Sequence, residues 1–234
     1  MFITSDNQRE EESAYVVNIP KSRHGEEGCV KAKKKELQNF EMFDVYEVVS
    51  IPDDPKAVII DTEWVLVEKE IAQSQEYEIK ARLCLRGDQE VNKHLIPTDS
   101  PTVNKITWKL LLTIAASQGL EVDTQDITRA FLQTEKISRE IYVRAPIEAN
   151  VDKGKCWRLL RPAYGLVDSS RSFFLRLAKG FREEGFKALT FDPATFVLHD
   201  EKGNLKVASA QHVDMLMMPY QLALELIWIQ YTKR

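Results

Sequence analysis

The stretch Thr124-Gln-Asp-Ile-Thr-Arg-Ala-Phe-Leu-Gln133 constrains this chain most, because one carboxylate, Asp126, falls where two periodicities meet. Upstream, Leu120 and Val122 alternate with polar residues. That period of two belongs to a strand with one buried face, and an internal strand is expected. Downstream, Ile127, Ala130 and Phe131 fall at spacings of three and four, which predicts a short helical segment that keeps Phe131 within a turn of the acid. An acid at such a junction serves either as a helix N-cap or as the anchor of a pocket shared with the aromatic ring.

A second isolated carboxylate bears on that choice. In Ala210-Gln-His-Val-Asp-Met-Leu-Met217, Asp214 has apolar residues on both sides. Two strand-borne acids far apart in sequence can meet across neighbouring strands and hold divalent ions for phosphoryl or nucleotidyl transfer. His24, His94, His199 and His212 have no ligand spacing among them and are expected on the surface or in packing roles.

A chain of 234 residues can bury one good core, so a single domain with loose ends is the default. Its 44% apolar and 29% charged content excludes global disorder. The net charge of −4 excludes a uniformly basic nucleic-acid binder but hides how charge is distributed. From Lys153 to Arg182 there are eight Lys or Arg against one acid, Asp168, with Trp157, Tyr164, Phe173, Phe174 and Phe181 interleaved. That stretch reads either as phosphate contacts with stacking surfaces behind them or as a helix with solvated charges outside and aromatics in the core. Cys29, Cys84 and Cys156 form no paired motif, so neither a disulfide framework nor a zinc cluster is indicated and a reducing, intracellular setting is expected. The acidic start does not match a secretory signal. The greasy stretch from Met215 to Tyr231 carries Pro219, Gln221, Glu225 and Gln230, short of a membrane span.

Taken in order, residues 1–28 read as a flexible polar arm. Val30 to Phe43 predicts an amphipathic helix with Val30, Leu37 and Phe40 inward and Lys31 and Lys33 to Lys35 mostly outward. The lysine run is read as a solvated face, with nuclear localisation the lesser alternative to a cytoplasmic setting. Strands are expected over Val45–Val49, Val58–Val67 and Tyr77–Leu85, and a helix over Asn104–Ser117 capped by Gly119. Short strands follow at Ile141–Val143 and Lys155–Leu160, then a helix from Ser169 to Glu184 and a hairpin of Ala194–His199 with Asn204–Ala208.

Seven pieces of this chain occur in a telling order: Thr62-Glu-Trp-Val-Leu, Lys80-Ala-Arg-Leu-Cys-Leu-Arg-Gly87, Asp99-Ser-Pro-Thr102, Gln125-Asp-Ile-Thr-Arg-Ala-Phe-Leu-Gln133, Ile141-Tyr-Val, Tyr164-Gly-Leu and His212-Val-Asp. Over roughly residues 30 to 216 this resembles the reverse transcriptase of copia-type (pseudoviral) long-terminal-repeat retrotransposons. The resemblance implies an α+β fold comprising the fingers and partial palm of a right-hand polymerase, with an antiparallel palm sheet and packed helices. It implies residues 29–216 as the fingers and palm and 217–234 as a divergent tail, with thumb and ribonuclease H regions absent. The tail is expected either as a helix patching the palm or as out-of-frame sequence.

The resemblance also implies roles. Asp126 and Asp214 would be catalytic and would ligate Mg²⁺ or Mn²⁺. Lys80 or Arg82, on a fingers hairpin, would contact the triphosphate, the alternative being a charged edge strand. Phe131 would be the floor under the sugar that disfavours a ribose 2′-hydroxyl, and Tyr164 and Gly165 would lie beside the nucleotide and template base. Partners would be an RNA or DNA primer-template and deoxynucleoside triphosphates, and the same resemblance tips the Lys153–Arg182 stretch toward nucleic acid. The chain departs from the family at Met215, where a second aspartate is expected; a thioether is a poor ligand for a hard cation, so impaired activity is expected.

Overall fold

The computed structural model describes residues 16–70, 77–119, 122–199, 201, 205–212 and 215–218, with the backbone alone described for 123–126, 205–212 and 215–218. Strand β1 (Val16–Asn18) and helix α1 (Glu27–Met42) lead into β2 (Tyr46–Ser50), β3 (Ile59–Ile60), β4 (Thr62–Glu70) and β5 (Tyr77–Leu85). Helix α2 (Lys105–Gln118), β6 (Asp123–Asp126), β7 (Tyr142–Val143) and β8 (Lys155–Leu159) follow. Then come α3 (Ser169–Glu183), β9 (Lys187–Ala188), β10 (Thr195–His199), β11 (Leu205–His212) and β12 (Met215–Met218).

The strands form three sheets, of orders β1-β4-β5, β2-β8-β7-β3 and β6-β12-β11-β10-β9. All described pairs are antiparallel except β3 with β7. The architecture is therefore mixed helix and sheet, as the pattern of the sequence predicts.

Three clusters hold these layers together. The largest joins Phe40 of α1, Ile60, Leu83, Leu85, Val143, Trp157 and Leu159 with Val45, Leu132, Ala163 and Leu166. Apolar surface removed from water stabilises by about 25 cal/mol per Å², and this cluster gathers the most buried apolar side chains among the described residues. A second packs Phe173, Leu177, Ala178 and Phe181 of α3 on Phe186, Ala194 and Phe196, with Ala130 from the segment after β6. A third sets Ile19 and Cys29 against Leu66.

Three expectations need correction. Residues 16–28, expected within a flexible arm, are folded: Val16 to Asn18 pair with Lys69 to Val67, Ile19 is buried and α1 begins at Glu27. Within α1, Val30 is exposed and Lys33 is buried, because Cys29, Lys33, Leu37 and Phe40 form the inward stripe, displaced by about one residue from the predicted one. Lys33 is accommodated by a 2.7 Å ion pair to Glu148, whose other oxygen accepts from the Trp64 indole at 3.0 Å. Burial opposes charge on Glu148, but those two bonds prevail and hold its carboxyl below its usual range. Finally, β6 is shorter than predicted and lies at an edge of its sheet among the described residues, paired only with β12. Leu120 and Glu121 lie outside the described residues.

Helix α2 matches its signals closely. Asn104 accepts from the Ile106 N–H as N-cap, and Gly119 at φ 64° closes the C-terminus.

Candidate functional site

Strand alternation decides which side chains of β5 are available. Leu83 and Leu85 point into the main core, so Lys80 and Arg82 share the opposite, exposed face. Arg82 lies over the ring of Tyr164, its guanidinium carbon 5.9 Å from the centroid. On its other side Tyr164 meets Phe131 edge-on, with centroids 5.3 Å apart and planes at 71°. Three of the predicted residues, from three distant segments, thus form one continuous wall. Lys80 stands beyond it, exposed and 3.6 Å from Glu78.

Phe131 is delivered by a single 3₁₀ turn, Ala130–Gln133, rather than by an α-helix. The chain enters this turn through Arg129 at φ 57°, a left-handed conformation that few non-glycine residues adopt. The turn is closed by the Gln133 amide donating to the Thr128 carbonyl at 2.8 Å and the Thr134 hydroxyl donating to the Phe131 carbonyl at 2.9 Å. Ala130 and Leu132 anchor it in the two cores.

Tyr164 is held by backbone. The Leu85 N–H donates to the Tyr164 carbonyl at 2.7 Å. Gly165 follows at φ 92°, so close that a Cβ there would lie 2.1 Å from the Leu85 carbonyl oxygen. A Cβ on Gly87 would lie 2.4 Å from the Gly165 carbonyl oxygen. The two glycines therefore let the end of β5 press directly on the Tyr-Gly-Leu segment. A carboxylate clamp braces that segment from behind. Arg139 donates to Glu90 at 2.6 Å and to both oxygens of Asp168 at 2.7 and 2.8 Å, joining the loop after β5 to the start of α3. Asp168 is the lone acid of its basic stretch, and that isolation is the sequence signal for the clamp.

One polar group here could not be read from helical spacing. Glu36, on the inward side of α1, is buried; it accepts from the Asn39 amide at 2.9 Å, and its second oxygen has no partner among the described residues. Burial raises its pKa above the usual carboxylate range, against the opposing pull of Asn39 and the Leu83 N–H. Burial likewise pushes the Tyr164 hydroxyl up to about 12, with the charge of Glu36 adding to the shift and Arg82 and Arg129 opposing it.

Asp126 ends β6. Its backbone partner across the pair is Met215, the first residue of β12 and the one immediately after Asp214. Residues opposed in this way stand about 4.5–5.5 Å apart at Cα. Asp214 itself lies outside the described residues. No cluster of three or more His, Cys, Asp or Glu is suited to a metal among the described residues. An aspartate carboxylate is a hard oxygen donor of the kind Mg²⁺ takes, and a methionine thioether is not.

In the Lys153–Arg182 stretch, three of the five aromatics serve packing and Tyr164 belongs to the wall. Trp157, Phe173 and Phe181 are buried, and Trp157 stacks on Tyr46 at 3.9 Å, so these rings have no free face for a base. Lys155, Arg158, Arg171 and Lys179 are ion-paired to Asp152, Glu47, Asp99 and Glu135.

Residues 43–223 match the profile of a family described as reverse transcriptase (RNA-dependent DNA polymerase). Curated relatives are retrovirus-related Pol polyproteins. That of transposon TNT 1-94 from Nicotiana tabacum is 23% identical over 92% of this chain. Those of transposons RE2 and RE1 from Arabidopsis thaliana are 25% and 24% identical over 71% and 72% of it. The chain spans only 16% of the first and 12% of each of the others.

Proposed function

The chain belongs to the reverse transcriptase (RNA-dependent DNA polymerase) family, and from that premise we propose that it comprises the fingers and part of the palm of a copia-type enzyme, impaired at one carboxylate. The reaction is extension of a primer on an RNA or DNA template. The primer 3′-oxygen forms a bond to the α-phosphorus of a deoxynucleoside triphosphate, the α–β bridge breaks and pyrophosphate leaves.

The observation that carries this proposal is the β6–β12 register, which sets the end of Asp126's strand against the residue that follows Asp214. Asp126 and Asp214 would hold a divalent ion. Such an ion, when bound, activates the primer hydroxyl and offsets charge on the leaving phosphates. The protein's own groups do the rest. Arg82, which belongs to the wall that Lys80 stands beyond, would offset the triphosphate charge; Tyr164 and Gly165 would border the nucleotide and template base. Phe131 would be the floor under the sugar that disfavours a ribose 2′-hydroxyl.

Primer extension in Mg²⁺ or Mn²⁺ tests the proposal. Weak incorporation that Asp126→Asn abolishes is expected, with Met215→Asp raising it. Extension unaffected by Asp126→Asn would sink the assignment. A second proposal, nucleic-acid binding without catalysis, is favoured by a methionine standing as the backbone partner of Asp126; it predicts no incorporation by the unaltered chain.

A further inference from the structure

The lysine run at the start of α1 divides once the helix is folded. Lys33 turns inward to Glu148, while Lys31, Lys34 and Lys35 are exposed. Spaced by three and four, these three form one stripe with Gln38, opposite the buried stripe of Cys29, Lys33, Leu37 and Phe40. Helix α1 packs along β5, and the stripe is continued there: Lys35 reaches Glu78 at 3.8 Å, and Glu78 is 3.6 Å from Lys80 on the face that also carries Arg82.

Five cations thus adjoin with one acid, Glu78, between them. Glu27 and Glu41 lie on the helix at its two ends, and neither pairs with a lysine of the stripe among the described residues. Lys31 and Lys34 have no carboxylate within ion-pair distance among the described residues. In the Lys153–Arg182 stretch, by comparison, four of the eight cations each have a carboxylate partner of their own, whereas Lys35 and Lys80 share Glu78.

We infer that the exposed face of α1, Lys31, Lys34 and Lys35, together with Lys80, is a docking surface for the phosphates of a nucleic-acid strand, leading into the Arg82–Tyr164 wall. This rests on the proposal that the chain handles nucleic acid, and it assigns the contact to residues outside the reacting centre. Lys31 and Lys35 are one turn apart, about 6 Å along the axis, so a single strand can be followed by a row of point charges. A lysine that neutralises a phosphate releases a counterion condensed on the nucleic acid; Lys31 and Lys34 can do so directly, whereas an ion-paired lysine must first break a bond.

The test is the salt dependence of binding of a labelled single-stranded oligo(dT) by the full chain, read by fluorescence anisotropy. The triple variant Lys31→Ala, Lys34→Ala, Lys35→Ala should lower the slope of log K against log salt by about 2, at roughly 0.7 per phosphate contact on a single strand. The variant Lys155→Ala, Lys179→Ala should leave the slope within about 0.5 of its original value. An unchanged slope in the triple variant overturns the surface, and so does a lack of measurable binding by the unaltered chain. Asp126→Asn separates the two proposals: if it abolishes incorporation while the triple variant binds with the original slope, only the surface fails. If no variant incorporates nucleotide yet the slope falls, the surface stands and the catalytic assignment fails.

Discussion

Phe131 and Asp126 are five residues apart, yet the wall that holds the ring and the strand edge that ends in the acid are built differently. The wall is over-determined. Arg82, Tyr164 and Phe131 come from three segments, and each is fixed by groups that also serve the cores: Leu83 and Leu85 beneath Arg82, the Leu85–Tyr164 backbone bond, and Leu132 beside Phe131. The edge has one described neighbour strand, and the residue opposite Asp126 is a methionine. Under the proposed function, the groups that would border the nucleotide are the ones that also serve packing, whereas the position that would complete the ligand set carries a methionine. A residue that stabilises the fold resists replacement independently of function.

Substitutions that act on one region and spare the other test this contrast. The largest effect is expected at the edge. Met215→Asp returns a hard anionic donor, and primer extension in Mg²⁺ should rise on the order of 10²-fold or more. The thermal midpoint should barely move; a fall worth several kcal/mol would show that Met215 is a packing residue and erase the distinction.

Next is Gly165→Ala, which forces a side chain against the Leu85 carbonyl at a positive φ. It should cost about 3 kcal/mol or more in urea unfolding, and a loss under about 1 kcal/mol would show the joint to be loose.

Phe131→Ala should lose about 1–2 kcal/mol of stability, since the ring is half-buried and makes one aromatic contact. In the Met215→Asp background it should also admit ribonucleotides about tenfold better, a difference of roughly 1.4 kcal/mol. Unchanged sugar selectivity with the stability loss intact would leave Phe131 a packing residue only.

The smallest effect is at Glu36. Because its folded-state pKa is raised, the unfolded chain releases its proton first as pH increases, and stability falls as pH climbs above the usual carboxylate range. Glu36→Gln should therefore stabilise the protein by about 1 kcal/mol at pH 7 and by almost nothing at pH 4. Equal effects at the two values would mean that folding leaves the pKa of this carboxyl unchanged.

Much of the fold was legible because local signals agreed. Asn104 and Gly119 bracket α2, and β5 runs over the predicted Tyr77–Leu85. Apolar spacing marked the core residues Phe173, Leu177 and Phe181 of α3. What misled was long-range compensation. Lys33 reads as a surface residue until Glu148, 115 positions away, supplies its partner. Val16 to Asn18 read as an arm until β4 offers an edge to pair with. Trp157, Phe173 and Phe181 resemble part of a stacking surface until their burial is known.

The sequence by itself determined the family and the spacing of the elements. It also determined which side chains stand at positions 126, 214 and 215, since side-chain identity and periodicity are properties of the chain. Only the tertiary structure decided that Arg82 rather than Lys80 joins the wall, that two glycines hold it by backbone contact, and which lysines of one run remain free. Those outcomes depend on which groups from distant segments come within bonding distance, and burial penalises any polar group that fails to find one.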